Sequence, residues 1–238
     1  MSLTRVRQQI VACRRCPRLR AYCARVARDR KPAHRHDVYW GKPVPGFGDA
    51  RARLLVLGLA PAAHGANRTG RMFTGDGSGD FLMTALHRTG FASRPASRAA
   101  DDGLVLTDAY ITAAVRCAPP SNKPAVGEIA ACRVHLEAEL LELRRIAVVV
   151  ALGRIAFDSY WDLPAARAVR PVPRPSFRHG ARYDPGGGPM VIASYHPSRQ
   201  NTNTGRLTPG MLEAVFRAAR RILTRQASGE PIETAPYG

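Results

Sequence analysis

The hydrophobic positions of this chain fall in short, dense runs separated by polar or glycine-rich stretches. Arg53-Leu-Leu-Val-Leu-Gly-Leu59 is the first such run. A segment that is apolar throughout and closes on glycine and proline predicts a strand buried on both faces. Ile146-Ala-Val-Val-Val-Ala-Leu-Gly153 and Pro189-Met-Val-Ile-Ala-Ser-Tyr195 repeat the pattern. Leu104–Val115, with Val105, Leu106, Tyr110, Ile111 and Val115, predicts one more strand or two short ones. Between these runs the period changes. Ala125–Arg145 carries Ile129, Leu136, Leu140, Leu141 and Leu143 near a helical repeat and predicts the clearest helix. Pro209–Gln226 predicts a last helix. Ser78-Gly-Asp80 predicts a helix start, with Phe81, Leu82 and Leu86 behind it. Residues 2–30 read as helical, with Leu3, Val6, Ile10, Leu19 and Val26 among arginines. Residues 31–52, 91–103 and 162–188 read as loops, and the last dozen residues as a tail.

Strands that alternate with helices and are apolar throughout predict a parallel sheet covered on both faces. The expected fold is α/β: a three-layer sandwich around a four-stranded parallel sheet, as one domain over residues 1–238. Ligands of such sheets bind at the carboxyl ends of the strands. Three loops fall there: Gly58–Asp80, Cys117–Pro124 and His196–Arg206.

Charge narrows the partners. Lysine and arginine number 36 against 18 acids, a formal net charge of +18. A surface this positive attracts polyanions, nucleic acid above all. Only Lys31, Lys42 and Lys123 are lysines. A coding preference explains arginine over lysine, but not the shortage of acids. No apolar run approaches the length of a membrane span. Met1-Ser-Leu-Thr-Arg-Val-Arg lacks the apolar stretch of a secretion signal. A cytoplasmic protein without a membrane partner is the expectation, with cysteines reduced or metal-bound.

Cys13-Arg-Arg-Cys16 puts two sulfurs within reach of one centre, and Cys117 and Cys132 supply two more. Four thiolates suit zinc or an iron–sulfur cluster, and spacing does not decide between them. The long gap from Cys117 to Cys132 is unlike the two tight knuckles of a zinc ribbon. Cys23 is either a free thiol or a replacement for one of the four. Such a site would pin the N-terminal segment to the sheet by closing a very long loop.

The glycine-rich loop Gly58-Leu-Ala-Pro-Ala-Ala-His-Gly-Ala-Asn-Arg-Thr-Gly-Arg-Met-Phe-Thr-Gly-Asp76 follows the first strand, and His196-Pro-Ser198 follows the last. Together with the four cysteines, these segments resemble the uracil-DNA glycosylase superfamily, most closely its type-b or family 5 branch. The resemblance runs from Cys13 to the helix after Arg206. It implies a DNA repair enzyme that flips a deaminated base out of the duplex and hydrolyses its N-glycosidic bond. It also implies a [4Fe–4S] cluster on Cys13, Cys16, Cys117 and Cys132. The partner is then DNA containing uracil or other deaminated bases, met by a monomer.

The resemblance assigns roles by position. His196 is expected to donate to the departing base, and Phe73 to stack on it. Gly58, Leu59, Ala60 and Ala62 are expected to form the pocket floor. Many relatives carry Asp or Asn where this chain has Ala60. Water positioning is therefore expected of Asp76 and Asn122, although Asp76 reads about equally well as a turn residue between glycines. Asp80 is a rival whose position suits a helix N-cap. A bulky tyrosine is common where this chain has Ala62. A wider pocket is expected, admitting hypoxanthine and ethenocytosine as well as uracil. Arg199, Gln200, Asn201, Asn203 and Arg206 are expected to meet DNA, with Leu207 as a wedge. Arg68 and Arg71 are expected at phosphates, a solvated surface being the plainer alternative. Two other functions fit parts of the pattern: a non-catalytic nucleic-acid-binding iron–sulfur protein of the same fold, and a redox protein.

Overall fold

The four apolar runs pair side by side in a computed structural model that describes residues 2–169 and 173–228. The strands are β1 (Phe47–Gly48), β2 (Leu54–Gly58), β3 (Ala109–Ala113), β4 (Val148–Leu152), β5 (Arg182–Tyr183) and β6 (Met190–Ser194). Their order across the sheet is β1-β3-β2-β4-β6-β5. The inner four, β3-β2-β4-β6, are parallel, in register from Leu54 opposite Ala109 and Val148, and Val148 opposite Met190. This is the expected four-stranded parallel sheet, with a correction at each margin. The two-residue strands β1 and β5 add antiparallel edges. Each is too short to carry a sequence signal, and each shields a backbone edge from solvent.

Nine helices complete the described residues: α1 (Leu3–Val11), α2 (Pro17–Asp29), α3 (Ala66–Thr69), α4 (Gly77–Arg88), α5 (Val126–Glu142), α6 (Arg154–Trp161), α7 (Pro164–Val169), α8 (Arg199–Asn203) and α9 (Pro209–Ser228). None is long and apolar enough to cross a membrane. The helical stretch expected over residues 2–30 is two helices, broken at the Cys13–Cys16 turn. Pro17 opens the second, where its missing N–H has no helical partner to lose. Residues 162–188, expected as loop, contain α7 and β5. The strand expected over Leu104–Val115 is confined to Ala109–Ala113. Asp108, at φ 57°, turns the chain just before it, and Leu106 makes only an isolated bridge to Ala92. The expected C-terminal tail lies outside the described residues beyond Ser228.

Alternate strand residues face opposite layers, as the two-residue period requires. Leu54, Val56, Ile111, Val150 and Ile192 pack with Leu82, Leu86, Phe216 and Leu223 of α4 and α9. Leu55, Leu57, Val149, Ala151 and Val191 pack with Leu136, Phe157 and Trp161 of α5 and α6. The result is three layers. From β2 the chain moves through α4 to β3 on one side. From β4 it moves through α6 to β6 on the other. The strand order therefore reverses between β2 and β4, and the crevice at their carboxyl ends is the place where ligands bind in open α/β sheets.

Candidate active site

Gly58, at the end of β2, is buried, and the Phe73 ring lies directly over it. A Cβ added at Gly58 would come within 2.8 Å of Phe73 Cε2, so only glycine lets the ring settle there. Phe73 itself has φ 51°, a left-handed conformation that strains a bulky residue. Its carbonyl is locked against Gly79, where a Cβ would stand 2.2 Å from Phe73 O. The loop thus holds an aromatic ring, partly exposed, in a backbone conformation it would not choose alone. The His196 ring faces it from the end of β6, with centroids 5.9 Å apart and planes tilted by 31°.

His196 is held from behind. Asn201 Nδ2 donates to its carbonyl at 2.8 Å, and so does the Ser198 N–H at 2.8 Å. Ser198 in turn caps α8 by accepting from the Asn201 N–H. At the end of β4, Gly153 (φ 93°) lies against His196, where a Cβ would sit 3.3 Å from the His196 Cβ. Burial lowers the His196 pKa to about 4. At neutral pH the ring is an uncharged imidazole with one N–H to donate.

Asp76 occupies the end of the same glycine loop. It is the N-cap of α4: the Gly79 N–H donates to Asp76 Oδ1 at 2.9 Å. Its other oxygen presses on Gly65, where a Cβ would lie 1.9 Å from Oδ2. Burial raises the Asp76 pKa, opposed by the N–H groups of Gly79 and Ser78 and by the charge of Arg199. The helix begins at Gly77, one residue before the expected Ser78–Asp80 start. Asp76, not Asp80, is therefore the cap, and Asp80 is exposed in the first turn. Asn122 ends a short 3-10 turn, Pro120–Asn122, with φ 57°. It is exposed, and its side chain has no hydrogen bond among the described residues. The structure draws Gly58, Phe73 and His196 into contact, and Asp76, Gly65 and Arg199 into another group. Among the described residues, no hydrogen bond joins Asn122 to either group.

The expected DNA contacts divide sharply. Arg199, Gln200, Asn203 and Arg206 are exposed on or beside α8. Arg206 stacks its guanidinium 4.7 Å from the Tyr195 ring centre, and Tyr195 stacks on His179 at 4.9 Å. Asn201 is turned inward, as the support of His196. Leu207 is a correction: it is 1% exposed in the α4/α9 core and is not placed to enter a base stack. Arg71 is a second correction, being 7% exposed. Its guanidinium donates to Thr74 Oγ1, Ala100 O, Ser97 Oγ and both oxygens of Asp102. Burial alone would raise the Asp102 carboxyl. The Arg71 guanidinium and the N–H groups of Leu104, Arg98 and Ala99 instead hold it well below the usual carboxylate range. Arg68 is the third. Its three donors go to His64 O at 2.8 Å, Asp37 Oδ2 at 2.8 Å and Gly75 O at 2.9 Å, which staples the loop that carries Asp76. An arginine's local sequence does not tell a phosphate contact from a buried fork.

The cysteines converge beneath this site. Cys117 and Cys132 are buried in one apolar cluster with Cys23, Leu19 and Val115, and Cys16, Ala60 and Ala63 pack against it. Burial raises the Cys16 thiol, with Cys117 and Cys13 among the charges that raise it further. Burial pushes the Cys132 thiol up to about 11, with Cys117 and Cys16 adding to the rise. The Arg116 N–H donates to Cys132 Sγ at 3.3 Å. Cys23 donates its thiol to Ala118 O at 3.6 Å and lies beside Cys117. All five cysteines are free, and among the described residues no group of three or more His, Cys, Asp or Glu is arranged to hold a metal ion. Ala60, in the glycine-rich loop, packs against the cysteine cluster.

A family model described as the uracil DNA glycosylase superfamily matches residues 45–220, from β1 into α9. The chain belongs to the uracil-DNA glycosylase superfamily. It is 53% identical to a type-5 uracil-DNA glycosylase of Thermus thermophilus, over 90% of this chain and 95% of that one. It is 48% identical to one of Mycobacterium leprae, over 93% and 96%. It is 46% identical to one of Pyrobaculum aerophilum, over 89% of each chain. Within this superfamily fold, sequence reasoning missed Gly65, Gly153, Tyr195 and His179. Gly153 carried a signal, since it closes a buried strand at the ligand end of the sheet. His179 carried none, because it sits in a stretch of Arg, Pro and Gly.

Proposed function

We propose that this protein is a cytoplasmic DNA glycosylase that flips uracil out of DNA and hydrolyses its N-glycosidic bond, leaving an abasic site. The observation that carries this reading is the meeting of Phe73 and His196 over Gly58, at the point where the strand order reverses, in a chain of this superfamily. The flipped base stacks on Phe73. The neutral His196 donates its N–H to the base oxygen where negative charge develops as the bond breaks. The Asp76 carboxylate, desolvated and hence more basic, takes the proton of the attacking water and offsets positive charge on the sugar. The free amide of Asn122 orients that water. Gly58, Leu59 and Ala60 form the floor. Ala62 leaves room for larger bases, which extends the substrate range to hypoxanthine and ethenocytosine. Arg199, Gln200, Asn203 and Arg206 hold the DNA backbone.

Cys13, Cys16, Cys117 and Cys132 are the residues that would hold a [4Fe–4S] cluster. The donor set fits: Cys16, Cys117 and Cys132 share one cluster, Cys13 is near enough to act on the Cys16 thiol, and the Arg116 N–H donates to Cys132 Sγ. The cluster would supply a cross-link between the α1–α2 turn and the base of the site, and no part of the hydrolysis.

The test is incubation with a duplex carrying one uracil, followed by alkali to break abasic sites. Cleavage at that position is expected. An intact strand overturns the reading and leaves a nucleic-acid-binding protein without this chemistry. Ala62→Tyr should then abolish hypoxanthine and ethenocytosine release while sparing uracil; an unchanged substrate range removes Ala62 from the pocket.

A further inference from the structure

A cleft of about 580 Å³ opens between α1, the Cys13–Cys16 turn, α2 and the segment at Lys42. Arg7, Arg14, Arg20 and Lys42 line it, together with Gln8 and Cys13, and no carboxylate does. Two other clefts each include acids, Asp49 in one and Asp80 with Glu213 in the other. Elsewhere in the molecule arginines meet acids: Arg18 with Glu128, Arg53 with Asp108, Arg68 with Asp37, Arg154 with Asp158. The four cations of the cleft have no ion pair among the described residues. Three of them are also fixed in place. Arg7 Nε donates to Gly46 O at 3.0 Å, and Arg20 donates to Gly41 O at 3.1 Å. Lys42 lies over the Trp40 ring, 5.6 Å from its centre. Arg20 also donates toward the Cys117 sulfur, while the remaining donors of Arg7, Arg14 and Lys42 meet no acceptor among the described residues. Unpaired, preorganised cations without a nearby acid make a site for an oxyanion.

The cleft's place in the fold selects the anion. Its floor is tied to the glycine loop, because the N–H groups of Trp40 and Gly41 donate to Arg68 O and Asn67 O. It lies on the β3 side of the pocket, whereas α8 lies on the β6 side. Those strands stand three places apart, roughly 14 Å at the usual spacing. A nucleic-acid strand held by α8 on one side of the pocket reaches the cleft on the other after a few nucleotides. We propose that this cleft is a second DNA site, which binds backbone phosphates flanking the flipped nucleotide, on the side of the cysteine turn. The proposal rests on the reading of the protein as a DNA glycosylase.

The test uses the full chain and three duplexes with an abasic product site: one central in 30 base pairs, one near the 5′ end and one near the 3′ end. The variant is Arg14→Ala with Lys42→Ala, neither of which holds the backbone. Arg144→Ala with Arg145→Ala, at the amino end of β4, removes equal charge from the opposite end of the sheet. On the central duplex, the cleft variant should flatten the slope of log affinity against log salt by about 2, at roughly 0.9 per phosphate. Each lost contact should weaken binding by up to about eightfold at 0.1 M salt. One end-placed duplex, lacking the flank that reaches the cleft, should show no difference between variant and wild type. Equal losses on all three duplexes, or losses matched by the Arg144/Arg145 control, overturn the proposal. A wild type that binds all three duplexes but releases no uracil refutes the glycosylase reading instead, and leaves the salt slopes to decide the cleft.

Discussion

Replacing Asp76 separates two roles that one carboxylate performs. As N-cap of α4 it accepts from the Gly79 N–H, and an Ala replacement loses about 1 kcal/mol of stability with that bond. For a domain of this size the melting temperature then falls by about 2–4 °C. Asn caps as well as Asp, so Asp76→Asn keeps the bond. It also removes a charge that the fold disfavours. Burial raises the Asp76 pKa above its unfolded value. The folded state therefore binds this proton more tightly, and the residue's contribution is full below the unfolded pKa and lost as pH rises through the folded one. At pH 7 the carboxylate is a net liability, and Asp76→Asn should melt at or above the wild-type temperature. Its rate should behave oppositely. Loss of a general base lowers single-turnover uracil release by between about 100-fold and 10,000-fold. The assay pairs thermal melts with single-turnover excision at saturating enzyme. Full activity in Asp76→Asn refutes the catalytic role. A rate loss in Asp76→Ala that disappears in Asp76→Asn shows that the residue is a cap and nothing more.

His196 has a folded pKa of about 4 against an ordinary value near 6.5. Its contribution is complete above pH 6.5 and is lost as pH falls through 4, on the order of 3 kcal/mol in all. Urea unfolding at pH 7 and pH 4 should show the wild type losing that much more than His196→Asn, and parallel losses contradict the buried neutral ring. Arg71→Ala leaves the half-buried Asp102 and the buried Ser97 and Thr74 without a shared partner, for a loss of about 3 kcal/mol. Melting should fall by roughly 6–12 °C, while the salt dependence of DNA binding stays as it was. A changed salt slope with little change in melting would return Arg71 to the phosphates. On the proposed cluster assignment, purified protein should be brown, and Cys132→Ser should remove that absorbance and most of the iron. Iron retained at the wild-type ratio excludes Cys132 as a ligand.

The order of strands and helices, the glycine loop after the first strand and the His-Pro-Ser turn after the last were all legible in the chain. Each rests on local chemistry. An apolar run flanked by glycine reads as a buried strand wherever it occurs, and Asp76 between glycines already read as a turn residue. The margins of the fold were not legible. Strands of two residues have no period to detect, and β1 and β5 exist only because β3 and β6 present an open edge beside them.

The sequence by itself determined where the candidate residues stand in the chain: four thiols, one histidine, one aromatic ring and an excess of arginine. It could not determine which way long side chains turn. Arg68, Arg71 and Arg199 look alike in the chain, yet two of them are spent inside the glycine loop and one faces solvent beside Asp76. Leu207 follows the polar residues expected to meet DNA, yet it closes the core under α9. The physical reason is that a guanidinium's partners come from distant segments, Asp37 for one and Asp102 for the other. Only packing in three dimensions brings those partners within hydrogen-bond reach, and only packing leaves the four cations of the cysteine-turn cleft without a carboxylate.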